Sequence, residues 1–129
     1  MTKILVIDDD PLVSVLMGRL FRAEGYEVNV VIHSSEAIQV SNLFQPDLIT
    51  LDLMMPPPDG FELCAMFRED SVYAGTPILI VTAKEDDLSR SLAFDVGAND
   101  YLTKPFDVDD LMERAKELLR GKRLGLYSE

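Results

Sequence analysis

Cysteine is almost missing from this chain: Cys64 is the only one in 129 residues, which excludes an internal disulfide and any multi-cysteine metal site and fits a reducing compartment. His33 is the only histidine, so a histidine-based zinc or copper centre is excluded as well. Both read as structural residues, Cys64 in the core and His33 at a loop or strand end. Positive charge is scarce: 12 Lys and Arg stand against 23 Asp and Glu, a formal net charge of −11. Clustered cations are what nucleic acid backbones and anionic membranes reward, so neither is expected to bind this domain directly. Long apolar runs are also lacking. The first, at 4–7, is stopped by Asp8 before a signal sequence or membrane span could form, and a cytoplasmic location follows as the expectation.

The residues present suit a single soluble core, with 47% apolar and 27% charged residues and no internal repeat or low-complexity segment. Short β-branched runs at 4–7, 27–31, 47–51, 78–81 and 100–102 alternate with stretches of helical period. Runs such as Ile78-Leu79-Ile80-Val81 do not alternate with polar residues, as expected for strands covered on both faces.

The helices have readable starts. Asp10-Pro11 opens the first, with Leu12, Val13, Leu16, Leu20 and Phe21 as its apolar face; Ser34 or Ser35 caps the second; Asp59 caps the third, with Phe61, Leu63 and Phe67. The fourth covers 85–96 with Leu88, Leu92 and Ala93 and stops at Gly97, and the fifth follows Asp107. This predicts one (βα)5 domain over 1–120, with 121–129 as a tail or linker stub.

In a doubly wound sheet the loops after the carboxyl ends of the strands converge on one crevice. Here those ends carry Asp8-Asp9-Asp10, Asp52, Thr82 and Lys104-Pro105. Asp10 before Pro11 reads as a helix cap. Two unit charges ~4 Å apart repel by ~4 kcal/mol at an effective dielectric near 20, so Asp8, Asp9 and Asp52 together call for a cation. Oxygen-only donors suit Mg²⁺ or Mn²⁺, and Mg²⁺ leaves coordination room for phosphate oxygens. Asp52 then reads as a nucleophile toward phosphorus, Asp8 and Asp9 as metal ligands, and Thr82 and Lys104 as partners of the transferred group.

These pieces resemble the receiver domain of two-component response regulators. The matching residues are Asp8-Asp9, Asp52-Leu-Met-Met-Pro56 with Asp59-Gly60, Thr82-Ala83-Lys84, Gly97-Ala98-Asn99-Asp100-Tyr101 and Lys104-Pro105-Phe106. The resemblance implies a flavodoxin-like sheet of order 2-1-3-4-5. It further implies that Asp52 is the phosphoacceptor, that Asp9, Asp52 and the Met54 carbonyl bind Mg²⁺, and that Asp8 does so directly or through water. Thr82 and Tyr101 are the implied switch pair, and Lys104-Pro105 is implied to be cis. Expected partners are a sensor histidine kinase or phosphotransfer protein, and an effector or second copy on the face of helix four, strand five and helix five. The chain departs from that pattern at Pro57-Pro58, which stiffen the loop after Asp52. Asp100 and Arg114 fall where one subfamily pairs charges across a dimer.

Three other readings fit less well. A flavin carrier or dinucleotide enzyme needs a Gly-rich phosphate loop after the first strand, where this chain has Asp8-Asp9-Asp10-Pro11. A haloacid-dehalogenase-like phosphatase would want Asp-x-Asp-x-Thr from Asp8, but position 12 is Leu. A pseudo-receiver that binds partners without phosphate would not need the complete acidic set.

Overall fold

The computed structural model describes residues 1–127, so Ser128 and Glu129 of the expected tail lie outside the described residues. Five strands, β1 (Lys3–Ile7), β2 (Glu27–Val31), β3 (Leu48–Leu51), β4 (Ile78–Thr82) and β5 (Asp100–Thr103), form one parallel sheet in the order β2-β1-β3-β4-β5. Successive side chains point to opposite faces. Leu5 and Ile7 therefore join one core cluster and Ile4 and Val6 the other. Five α-helices cover the sheet: α1 (Pro11–Ala23), α2 (Ala37–Phe44), α3 (Gly60–Glu69), α4 (Asp87–Asp95) and α5 (Val108–Arg123). The first cluster receives Ala37 of α2, Leu63 and Phe67 of α3 and Ala93 of α4; the second receives Met17 and Phe21 of α1 and Leu111, Ala115 and Leu119 of α5.

Acid caps set most helix starts. Asp10 accepts from Leu12 and Val13 N–H, Asp86 from Ser89 N–H, and Asp107 from Asp109 N–H. Asp59 and Glu62 form a reciprocal capping box. α2 differs from expectation: a 3-10 turn over Ser34–Glu36 precedes it, and neither serine caps it. α4 is shorter than expected and begins at Asp87 behind its Asp86 cap. α5 runs on through Arg123, and Tyr127 packs on the second cluster.

Two expected core faces are rotated. Leu12 is 82% exposed and Leu88 78% exposed, whereas Ser14, Gly18 and Ser89 are buried in their helices. Small residues let α1 approach the sheet closely: a Cβ on Gly18 would stand 3.3 Å from Val30 Cγ2. The leucines beside them are left outside.

Candidate phosphoacceptor site

The parallel register brings the ends of β1, β3 and β4 to one edge. Asp8 N–H donates to Val31 O at 3.1 Å and Asp52 N–H to Ile7 O at 3.0 Å, so both acids leave the sheet still tied to the neighbouring strand. On the other side, Lys104 N–H donates to Thr82 O at 2.8 Å. The Lys104-Pro105 bond is cis, as is Pro57-Pro58.

One carboxylate oxygen from each of Asp8, Asp9 and Asp52 lies within 4.8 Å of the others. Asp8 is 2% and Asp52 6% exposed, while Asp9 faces solvent. A single ammonium bridges the two buried acids: Lys104 Nζ stands 2.7 Å from Asp8 Oδ2 and 3.0 Å from Asp52 Oδ2. The remaining oxygens are oriented by backbone N–H groups, with Asp10 N donating to Asp8 Oδ1 at 3.0 Å and Met54 N to Asp52 Oδ1 at 3.1 Å.

Burial raises the Asp8 pKa above its usual 3.8, with a smaller push from Asp52, against the lowering effect of Lys104 and the Asp10 N–H. Lys104 moves upward too: burial opposes its charge, but its bonds to Asp8 and Asp52 outweigh that. Three carboxylates against one ammonium leave about two negative charges at the crevice, and every candidate donor is an oxygen. A hard divalent cation fits that set by charge and by chemistry.

Gly60 determines how closely α3 meets this edge. Its N–H donates to Leu53 O at 3.1 Å, and a Cβ at position 60 would collide with the Asp52 carbonyl oxygen. Only glycine lets the helix start there.

Thr82 is fully buried at the end of β4; its Oγ1 accepts from Lys84 N–H at 3.4 Å and makes no bond to Asp52 or Lys104 among the described residues. Tyr101 is 1% exposed, and its hydroxyl donates to Lys84 O at 2.6 Å. Arg90 of α4 covers that ring, its Cζ 5.2 Å from the centroid. Arg114 pairs within the chain with Asp100 and Asp110, each at 2.8 Å.

Sequence reasoning did not single out Arg68. This half-buried guanidinium donates to Gly97 O, Tyr73 O, Thr76 O and Asn99 Oδ1 at 2.7–2.9 Å, and Asn99 Oδ1 also accepts from Ile78 N–H. Its position next to Phe67 on a mostly apolar face was the available signal.

A family pattern described as the response regulator receiver domain matches residues 4–116. The chain belongs to that family: it is a receiver domain of two-component response regulators. It is 42% identical over 120 residues to the DNA-binding dual master transcriptional regulator RpaA of Synechocystis sp., covering 93% of this chain and 50% of that protein. It is 37% identical over 126 residues to the alkaline phosphatase synthesis transcriptional regulatory protein PhoP of Bacillus subtilis, covering 98% of this chain and 52% of that protein. The chain thus spans about half the length of these relatives. Among solved structures, the chemotaxis protein CheY4 of Vibrio cholerae superposes with a TM-score of 0.87 at 30% identity, over 92% of this chain and 98% of that one. The BeF3-activated receiver domain of RstA from Klebsiella pneumoniae gives 0.87 at 32% identity, over 92% and 99%.

Proposed function

We propose that Asp52 accepts a phosphoryl group from a histidine kinase or phosphotransfer protein. The observation that carries this reading is the Asp52 carboxylate at its strand end, oriented by Met54 N–H, beside Asp8 and Asp9 and in contact with Lys104. An Asp52 oxygen forms the new P–O bond as the donor's P–N bond breaks, and the imidazole departs with the electron pair and takes up a proton. Lys104, 3.0 Å from Asp52, neutralises charge on the transferred oxygens, and the Thr82 hydroxyl turns from Lys84 N–H toward them.

Mg²⁺, or Mn²⁺ in its place, is the resident cation of this reading, held by Asp9, Asp52 and the Met54 carbonyl, with Asp8 binding directly or through water. When bound it supplies the charge neutralisation and alignment on which phosphoryl transfer depends. Asp8 holds Lys104 at 2.7 Å and so keeps the ammonium over the crevice.

The domain turns over no other substrate; it assists only its own phosphorylation and dephosphorylation. Leu12, Val15 and Leu16 are 82%, 48% and 49% exposed on α1 next to Asp9, and this apolar strip suits a docking donor protein. Output leaves through α4, β5 and α5, where Leu88, Leu92 and Phe94 are exposed, to an effector or a second copy. Thr82 drawn toward phosphate and Tyr101 held inward are the two halves of that switch. Arg114, paired within the chain with Asp100, must change partners to serve a dimer.

In this reading the phosphoacceptor module expected over 1–120 also takes in the end of α5 to Arg123 and Tyr127, which packs on the second cluster. Relatives of twice the length are named DNA-binding regulators, so a DNA-binding half is the output we assign to the whole protein, with no nucleic acid contact by this acidic module. The absence of any described helix long and apolar enough to cross a membrane, and the buried free Cys64, support a cytoplasmic location.

The test is intact mass after incubation with acetyl phosphate and Mg²⁺. Wild type gains one base-labile phosphoryl group; Asp52→Asn and a chelated control gain none. No gain with either acetyl phosphate or a histidine kinase would make the chain a pseudo-receiver.

A further inference from the structure

Three consecutive prolines, Pro56-Pro57-Pro58, fill the loop from Asp52 to α3. Proline lacks an N–H, so this stretch gives up the backbone donors with which a loop usually anchors itself. Local bonds hold its ends: Met54 N–H to Asp52 Oδ1 at 3.1 Å, and Asp59 N–H to Glu62 Oε1 at 3.0 Å. Between them, among the described residues, one hydrogen bond reaches the loop from another element. Ser34 Oγ donates to the Pro56 carbonyl at 2.9 Å across 22 positions of sequence.

Ser34 or Ser35 was expected to cap α2. The Ser34 hydroxyl caps nothing, lies in a residue only 7% exposed, and spends its proton on the proline loop instead. The distinction matters because a buried hydroxyl needs a partner, and because Pro56 is two residues from Met54. Met54 is the one residue of that loop whose N–H orients Asp52.

We infer that Ser34 is a positioning residue for the cation site: through the Pro56 carbonyl it fixes the loop that presents the Met54 backbone to Asp52. This rests on the reading of Asp9, Asp52 and the Met54 carbonyl as the cation's ligands. Ser34→Ala leaves the Pro56 carbonyl without its donor and frees the loop, while none of the proposed ligand residues is itself changed.

The experiment titrates Mn²⁺ into the unphosphorylated protein, reading free Mn²⁺ by electron paramagnetic resonance, and follows Met54 and Met55 amide exchange without cation. Wild type, Ser34→Ala, Ser35→Ala and Asp9→Asn are compared, Ser35 being the exposed neighbour that makes no such bond. Ser34→Ala is expected to weaken Mn²⁺ binding roughly three- to tenfold, the size of one neutral hydrogen bond. Met54 and Met55 should then exchange faster, with amides of β1 and β3 unchanged; Ser35→Ala should match wild type in both readouts. Wild-type affinity and exchange in Ser34→Ala, or equal losses in both serine variants, would overturn the inference. If wild type binds no Mn²⁺, or Asp9→Asn binds it equally well, the cation reading itself fails and takes this inference with it.

Discussion

At the amino end of the sheet, Asp47 accepts from Lys3 N–H at 2.8 Å and from Lys122 Nζ at 2.9 Å, while Arg68 satisfies four acceptors on two neighbouring turns. At the carboxyl end, Asp8 and Asp52 share the one ammonium of Lys104, with the Asp9 carboxylate beside them. The same residue types stand at both ends of the same strands. One end is neutralised from within the chain; the other sets three carboxylates against one ammonium, a set that a hard divalent cation fits. The contrast separates residues that hold the fold from residues held by it.

The largest expected effect lies at the closed end. Arg68→Met would strand carbonyls of Tyr73, Thr76 and Gly97 and the Asn99 Oδ1, and should cost about 3 kcal/mol in urea unfolding. A loss below about 1 kcal/mol would mean that water replaces the arginine and that this end is less closed than its bonds suggest. Gly60→Ala comes next, because its Cβ collides with the Asp52 carbonyl oxygen. It should cost about 1–3 kcal/mol and slow acetyl phosphate uptake about tenfold through misplacement of Asp52.

Asp9→Asn should do the reverse of a structural mutation. In metal-free buffer it removes one of three mutually repelling charges and raises stability by about 1 kcal/mol. Mg²⁺ should then add thermal stability to wild type only. A destabilised Asp9→Asn would break the comparison.

The smallest effect is on the acid limb of stability. Asp47 is half buried, which alone would raise its pKa, but the Lys3 N–H and Lys122 hold it below 3.8. Its ionised form therefore favours the fold above that value, and the contribution is lost as pH falls through the depressed pKa. Asp8 has the opposite sign: its pKa is raised, so protonation relieves the fold and its contribution disappears as pH rises through that raised value. Asp47→Asn should flatten the loss of stability below pH 3.8, and Asp8→Asn should not.

The sheet was legible because buried parallel strands read as unbroken apolar runs, and the edge that carries the site followed from it, while the strand order came from the resemblance to receiver domains. Helix orientation was less so. Counting leucines placed Leu12 and Leu88 inside, whereas close approach to the sheet selects the smaller Ser14, Gly18 and Ser89. Asp8, Asp9, Asp52 and Lys104 were legible as a cluster since each follows a strand. Arg68 and Ser34 were not, because each acts on carbonyl groups distant in sequence, and carbonyls leave no trace in a residue's identity.

α3 is fastened at both ends, by Gly60 against the Asp52 backbone and the capping box at its start, and by Arg68 near its finish. A ten-residue helix is about 15 Å long, so it behaves as a strut braced between the acidic crevice and the turn before β5. It cannot slide or tilt without breaking bonds at one end. The same Arg68 that ends α3 also holds the Gly97 carbonyl just past α4, so the strut carries the position of the acidic crevice to the end of the neighbouring helix.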